Sequence, residues 1–133
     1  MRAYNYIFYR FFAVTLQLGQ KKNNQINAAF ELTIVDMLLA STIAYLVAPV
    51  WMSQTSLGQN WSSAIAVTIA FYLPNHFLFI RGDRYKHIVR TFGNESKRAR
   101  AIGTFIIAVV FIGVILLDLG AQAWAQHIAP TLK

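Results

Sequence analysis

The sequence contains no cysteine and only five acidic residues in 133 positions. The lack of cysteine excludes disulfide bonds, thiol chemistry and cysteine-ligated metal sites. Charged residues make up 13% of the chain and hydrophobic residues 56%, whereas soluble domains carry roughly 25% charged residues. A soluble chain of this length would expose too much apolar surface. The composition therefore predicts a single polytopic membrane domain over residues 1–133.

Two long stretches have no charge at all. Residues 37–80 and 101–117 lack Asp, Glu, Lys and Arg, while residues 81–100 hold seven of the twelve Lys and Arg side chains. A cationic segment between apolar runs is typical of a cytoplasmic loop between membrane-spanning helices. We therefore predict an all-α membrane protein with a basic cytoplasmic loop and three transmembrane helices. These helices cover residues 27–48, 62–80 and 101–123.

The distribution of the cations predicts the orientation of the chain. Eleven of them precede the first predicted span or lie in the basic loop, and only Lys133 follows the third span. The positive-inside rule then places the N-terminus and the loop in the cytoplasm and the C-terminus outside. Anionic headgroups attract cations that lie beside apolar spans. The lipid bilayer is therefore a predicted partner of these residues, and nucleic acid is not.

The first 19 residues predict an interfacial amphipathic helix. Aromatic and apolar side chains recur at three- and four-residue steps, which places them on one helical face. This face consists of Tyr4, Phe8, Phe11, Phe12, Thr15 and Leu18. Arg10 interrupts the run, which is also shorter than the roughly 20 apolar residues that a membrane span needs. The segment fits a helix at headgroup level better than a transmembrane helix or a signal peptide.

The basic loop contains a second amphipathic segment, for which we expect a short surface helix. Its apolar face consists of Tyr85, Ile88, Val89 and Phe92. Asn94 or Ser96 is placed to cap the helix that follows. The cations of the loop are predicted to contact the membrane surface or a partner. They are Arg84, Lys86, Arg90, Lys97, Arg98 and Arg100.

Five polar or charged side chains are predicted at the cytoplasmic end of the spans, where an ionisable group is costly and suggests function. They are Glu31, Asp36, Asn75, His76 and Arg81. One interpretation is a proton or ion relay in which His76 is the titrating partner of Asp36. The other is a structural cluster in which Asp36 forms hydrogen bonds across helices. Glu31 would then pair with a cation: Lys21, Lys22 or Arg81.

A second polar site is predicted near the outer boundary of the membrane. At 1.5 Å per residue, Asp118 lies about 25 Å from the cytoplasmic end of the third span, at the level of Tyr45 and Ser63. We expect its carboxylate to accept hydrogen bonds from these two side chains or from the N-terminus of the second span. At this depth Asp118 cannot reach Asp36.

The sequence predicts no catalytic residue, no cofactor and no metal site, because it holds no constellation of nucleophile, base or ligands. Its three histidines are too far apart in sequence and depth to share one metal ion. Ala40, Ala44 and Ala48 repeat every four residues on the first span. Small-residue faces of this kind let helices approach closely, which favours packing within the chain, self-association or contact with another membrane protein.

The end of the second span and the basic loop, NHFLFIRGDRYKHIVRTFGNES, resemble a set of small uncharacterised three-span proteins of the bacterial inner membrane. The matching residues are Asn75, Phe77, Leu78, Phe79, Ile80, Tyr85, Lys86, Ile88, Phe92, Asn94, Glu95 and Ser96. The similarity covers about a third of the chain. Pro74 and His76 depart from that pattern. The resemblance implies a bacterial inner-membrane location and no particular activity.

These observations favour a non-enzymatic accessory or interaction subunit of a membrane complex, for instance an immunity or defence component. The charged side chains of the chain are concentrated in the basic loop, so we expect a partner to be recognised there. The alternative is a homo-oligomeric pore or ion channel. Asp36, Asn75 and His76 would then line its cytoplasmic half.

Overall fold

The computed structural model describes residues 2–19, 23–54 and 61–132, and this part of the chain contains helices and no strands. The helices are α1 (Arg2–Gln17), α2 (Asn24–Val47), α3 (Pro49–Gln54), α4 (Trp61–Phe79), α5 (Arg84–Phe92) and α6 (Lys97–Ile128), with 3₁₀ turns at Arg81–Asp83 and Ala129–Leu132. The predicted all-α fold is confirmed. The short helix α3 was not predicted, because the sequence at this point reads as a connector.

Three of the helices, α2, α4 and α6, are long and apolar enough to cross a membrane. Their number matches the prediction, but α6 is longer than the predicted span at residues 101–123. At 1.5 Å per residue its 32 residues extend about 48 Å, whereas the hydrocarbon core of a bilayer is about 30 Å thick. The extra turns at the start of α6 arise because the cations Lys97, Arg98 and Arg100 belong to the helix itself.

The start of α6 is capped by Ser96, one of the two predicted capping residues. Its hydroxyl Oγ accepts a hydrogen bond from the backbone N–H of Ala99 at 3.2 Å. A side-chain oxygen in this position satisfies one of the backbone N–H groups that the first turn of a helix leaves unpaired. The cap therefore fixes where the basic loop ends and the third long helix begins.

Ser96→Ala is expected to lower the free energy of unfolding by about 1 kcal/mol, because the Ala99 N–H loses its acceptor. Titration of the purified protein with a denaturing detergent in mixed micelles measures this loss. The control is Asn94→Ala, since the Asn94 side chain is exposed and precedes the helix. Equal losses in the two variants would contradict the assignment of the cap to Ser96.

The central helix of the fold is α2. Helices α1, α4 and α6 each pack against it, whereas α4 and α6 make no extended contact with each other within the described residues. Helices α2 and α6 run in the same direction, because Glu31 lies beside Thr104 and Ser41 contacts Asp118. Helix α4 runs opposite to them, since Asp36 contacts Asn75 and the later residues of α2 line a cleft with the earlier residues of α4. The arrangement is an open bundle, and it leaves a cleft between α2 and α4.

Helix α1 forms at the predicted position, but its aromatic face packs against protein. Phe8 is fully buried and stacks on Phe79 of α4, with ring centroids 4.2 Å apart. Ala28 and Ala29 of α2 are fully buried in the same core. The sequence pattern alone could not show this, because a face that packs on helices and a face that lies among headgroups have the same periodicity.

Helix α5 confirms the predicted helix in the basic loop, with Ile88 buried on its apolar side. This side packs against α1: the ring of Phe92 lies 5.3 Å from that of Tyr6, and the ring of Tyr85 lies 6.4 Å from that of Phe12. Asp83, just before α5, has a positive φ of 59°. The apolar face of α5 is therefore covered by the N-terminal helix.

Candidate functional site

A polar ring joins α1, α2 and α4 inside the bundle. The hydroxyl of Tyr4 lies 2.6 Å from Oδ2 of Asp36 and 2.7 Å from Oδ1 of Asn75. The amide Nδ2 of Asn75 lies 2.9 Å from the same Oδ2 of Asp36 and donates to Oγ1 of Thr33 at 3.1 Å. We call Tyr4, Asp36 and Asn75 the polar ring. Its three members come from three different helices.

Local geometry explains how the ring forms. Thr33 and Asp36 are three residues apart on α2, so both side chains lie on one face. Thr33 is fully buried and donates its own hydroxyl proton to the carbonyl oxygen of Ala29 at 2.8 Å. Asn75 is only 2% exposed and projects from α4 towards that face. Buried polar groups need such partners, because burying a polar group without a hydrogen bond destabilises the fold by several kilocalories per mole.

The structure brings together two of the five residues of the predicted cytoplasmic cluster, Asp36 and Asn75. His76 lies outside the ring, beside Tyr72, with 3.4 Å between its Nδ1 and the Tyr72 hydroxyl. Arg81 places its guanidinium 5.1 Å from the centre of the Phe77 ring. The interpretation of His76 as the partner of Asp36 is therefore corrected: the partners of Asp36 are Tyr4 and Asn75.

Glu31 is also separate from the ring. It lies five residues before Asp36 on α2 and lines a cavity of about 310 Å³ with Thr104 and Phe111 of α6. Within the described residues it forms no ion pair with Arg81. Its other predicted partners, Lys21 and Lys22, lie outside the described residues.

Tyr4 is the ring member that the sequence does not predict. Its spacing predicts an aromatic face at headgroup level, and this pattern assigns no partner to the hydroxyl. Burial raises the pKa of the Tyr4 phenol, and the hydrogen bond to Asp36 raises it further. The phenol is therefore uncharged and available as a hydrogen-bond donor.

The cleft between α2 and α4 opens onto the ring. Its volume is about 500 Å³, and all three ring residues line one end of it. The remaining lining is almost entirely apolar: Leu39, Ala40, Ile43, Ala70, Phe71, Pro74 and Leu78. Ala40 belongs to the predicted small-residue face, which therefore borders the cleft at this point.

A second polar contact joins α2 to α6 further along the bundle. Asp118 is 4% exposed and accepts hydrogen bonds from Ser41 at 2.7 Å and from Gln122 at 2.7 Å. These two donors are not the predicted ones, Tyr45 and Ser63. Depth along a helix does not define which face of α6 turns towards which helix.

Among the charged residues that the structure describes, the most buried is Arg10 of α1, whose side chain is fully inaccessible. Its guanidinium pairs with the carboxylate of Glu95 and donates from Nε to the Tyr6 hydroxyl at 2.8 Å. It also donates to the carbonyl oxygens of Ala99 at 3.2 Å and Arg100 at 3.1 Å, in the first turn of α6. We call these contacts the arginine anchor. They tie α1 to the turn between α5 and α6.

Part of this anchor has a signal in the sequence, where Arg10 interrupts an apolar run. A lone arginine on a buried helical face requires an anion and further acceptors, and Tyr6 stands four residues before it, on the same face. Glu95 is one of only two acidic residues in the basic segment. The pairing across 85 residues of sequence could not be read from periodicity.

Most cations of the basic loop point away from the protein interior. Arg84, Lys86, Arg90, Lys97 and Arg98 are exposed, and Arg100 is half-buried. Lys86 forms an exposed ion pair with Asp83 at 2.7 Å, and this hydrogen bond raises the pKa of the lysine. We call these five exposed cations the cationic platform; Arg81, which is also exposed, precedes α5 and is not part of it. The platform belongs to α5 and to the first turn of α6.

Neither the geometry nor comparison with known proteins identifies an activity. Within residues 2–19, 23–54 and 61–132, no group of three His, Asp or Glu side chains is placed to hold a metal ion. No protein-family model, curated protein or solved structure matches the chain. The resemblance to small three-span bacterial proteins therefore stays a prediction.

Proposed function

We propose that the protein is a non-enzymatic interaction subunit of a bacterial inner-membrane complex and that it binds an acidic surface of a partner protein through the cationic platform. In this proposal the N-terminus and the platform face the cytoplasm, and the C-terminus lies outside, as the positive-inside rule requires. The observation that carries the proposal is the packing of α5 on α1.

An amphipathic helix binds a bilayer surface by burying its apolar face among the lipids. In this protein the apolar face of α5 is already covered, because Phe92 and Tyr85 pack on rings of α1. The cations on the opposite face remain exposed. Because the apolar face of α5 is covered and its cationic face is exposed, we favour binding to an acidic protein surface over insertion of α5 into the membrane.

The arginine anchor supports the proposal in a second way. It connects α1 to Glu95 and to the first turn of α6, directly beside the platform. A platform held in one position loses less conformational entropy on binding than a disordered basic tail would. Complementary charges then contribute specificity and speed of association.

A photoreactive amino acid at His87 tests the proposal in cells, since His87 is exposed on α5 between the cations. We expect a discrete protein adduct there and none at Phe105, a 70% exposed position on α6. Charge reversal of Lys86 and Arg90 to Glu should abolish the adduct, and restoring complementary charge on the identified partner should recover it.

The matched control is reversal of Arg2 to Glu, an exposed cation of α1 away from the platform. It should leave the adduct at His87 unchanged. Adducts with phospholipid alone at His87, or a protein adduct that survives reversal of Lys86 and Arg90, would overturn the proposal.

The alternative is a homo-oligomeric pore, and one observation favours it. The cleft between α2 and α4 contains Asp36 and Asn75 at one end, and a second copy of the chain would have to close it to form a conduit. Flux of ions from liposomes, measured together with the oligomeric state in mild detergent, separates the two functions. A monomer without flux eliminates the pore, whereas an oligomer whose flux disappears in Asn75→Leu supports it.

A further inference from the structure

The number of protons in the polar ring can be counted from its contacts. Three pairs of polar atoms meet: Tyr4 with Asp36 at 2.6 Å, Tyr4 with Asn75 at 2.7 Å, and Asn75 with Asp36 at 2.9 Å. Each hydrogen bond requires one proton between its two atoms. The Tyr4 hydroxyl supplies one, and the Asn75 amide supplies one to Asp36. An ionised Asp36 supplies none, so one of the three contacts would lack a proton.

The count does not depend on how the amide of Asn75 is oriented. With Nδ2 towards Asp36, the contact between the Tyr4 hydroxyl and Oδ1 of Asn75 lacks a proton if Tyr4 donates to Asp36. With the amide turned over, Nδ2 faces Tyr4, and the contact between Asp36 and Oδ1 lacks one. In both orientations a proton on Asp36 completes a closed ring of three hydrogen bonds.

We propose that Asp36 is a proton-binding site within the membrane domain and that its uncharged carboxylic acid closes the ring. The inference is independent of the partner proposed for the platform. It goes beyond a structural cluster, because the ring is complete in one protonation state only.

The charged and titratable groups around Asp36 support the uncharged form. Helix α1 presents Tyr4, since Arg10 is occupied by Glu95. Helix α4 presents Asn75, while Tyr72 and His76 contact each other outside the ring. On α2 itself the nearest acid is Glu31, more than one turn away. Helix α6 has no charged residue from position 101 to 117.

No cation forms an ion pair with Asp36 in the described part of the chain: Arg2, the other cation of α1, is exposed, and Arg81 lies beside Phe77. An ionised carboxylate in a bilayer is costly when no positive charge or sufficient set of donors compensates it. Protonation removes this cost and supplies the third hydrogen bond at the same time. The two effects act in the same direction.

Asp118 provides an internal comparison, because its contacts need no additional proton. Ser41 donates its hydroxyl proton to Oδ1, and Gln122 donates an amide proton to Oδ2. Thr42 lies 3.4 Å from Oδ1 and gives its proton to the carbonyl oxygen of Leu38. The two aspartates are thus distinguished by the donors around them, and only Asp36, which is partly exposed to the cleft, requires its own proton.

The cleft gives the site a route of exchange, since Asp36, Tyr4 and Asn75 all line it. If Asp36 loses its proton, two acceptor oxygens of the polar ring face each other without a hydrogen between them. The contact of the ring with Tyr4, and so with α1, is then weakened. Because the docked state binds a proton that the undocked state releases, docking of the first turn of α1 should weaken as the pH rises. Asp36→Asn, which is uncharged at every pH, should remove this dependence.

Infrared spectroscopy of the purified protein tests the proposal. The wild type should show, at neutral pH, the carbonyl-stretch band of a protonated carboxylic acid, and Asp36→Asn should lack it. Asp118→Asn is the matched control and should retain the band. Labelling the three aspartates with ¹³C at the carboxyl carbon should shift the band in the wild type, so the test does not depend on any variant folding.

Two results would overturn the proposal. One is a wild-type spectrum in which ¹³C labelling shifts only carboxylate bands. The other is an acid band that Asp118→Asn removes and Asp36→Asn leaves in place. Spin labels at Arg2→Cys and Phe77→Cys, the only cysteines of such a chain, report the docking of α1. Their distance should increase with pH in the wild-type background and stay constant with Asp36→Asn; the same response in both backgrounds would remove Asp36 as the cause.

Discussion

Replacing Glu95 with alanine is expected to destabilise the protein by about 3 kcal/mol, because the substitution leaves Arg10 buried without its counter-ion. The Arg10 side chain is fully inaccessible, and that of Glu95 is 19% exposed. Without this carboxylate the buried guanidinium keeps only uncharged acceptors, the Tyr6 hydroxyl and the carbonyl oxygens of Ala99 and Arg100. Titration with a denaturing detergent in mixed micelles measures the change in the free energy of unfolding.

The size of this effect depends on the presence of Arg10, and a double-mutant cycle tests that dependence. Arg10→Met removes the charge but keeps an apolar side chain of similar length. In this background Glu95→Ala should cost much less than in the wild type, because no buried guanidinium is left unpaired. Equal costs in the two backgrounds would contradict the anchor.

The exposed pair of Asp83 and Lys86 is the matched control for the buried pair. Both side chains are more than half exposed, and exposed ion pairs contribute little to stability. Asp83→Asn removes the negative charge, and asparagine tolerates the positive φ of 59° at this position, so this variant should leave the unfolding transition unchanged within error. A loss as large as that of Glu95→Ala would show that the effect arises from net charge and not from burial.

Gly103→Ala is expected to destabilise the protein by about 2 kcal/mol, the usual cost of inserting a methyl group into a filled interior. A Cβ atom at Gly103 would overlap the Arg10 guanidinium. A flexible side chain could normally move aside, but Arg10 is held by Glu95, by Tyr6 and by the first turn of α6. The methyl group therefore fits only if the contacts of the arginine anchor are disrupted.

Gly113→Ala on the same helix is the matched control. A Cβ atom at Gly113 would meet no atom within 4 Å, and alanine favours the helical conformation more than glycine does. Its stability should be equal to or slightly above that of the wild type. Combining Gly103→Ala with Arg10→Met should recover much of the loss, whereas an unchanged loss would show that the contact with Arg10 is not responsible.

The sequence was sufficient for the features that depend on neighbours along the chain. The apolar runs predicted three long helices, and the structure has three in α2, α4 and α6. The three- and four-residue spacing of apolar side chains predicted α1 and α5, and the short side chain of Ser96 predicted a helix start. Each of these signals lies within one or two helical turns.

The polar contacts could not be predicted in the same way. Tyr4 and Asn75 are 71 residues apart, and Arg10 and Glu95 are 85 residues apart. The depth of Asp36 and Asn75 placed them at one level, which was correct. Depth gave no information on rotation about the helix axis, so the relay interpretation paired Asp36 with His76, and the structural-cluster interpretation named no partner for it where the structure has Tyr4.

The sequence by itself determined that this chain is helical, that three of its helices are apolar over the length of a membrane span, and that its cations are concentrated in one segment. The tertiary structure decided that α1 and not lipid covers the apolar face of α5, and that Asp36 meets Tyr4 and Asn75. The physical reason is that periodicity defines which side of a helix is apolar, whereas the identity of the group on that side depends on how separate helices pack.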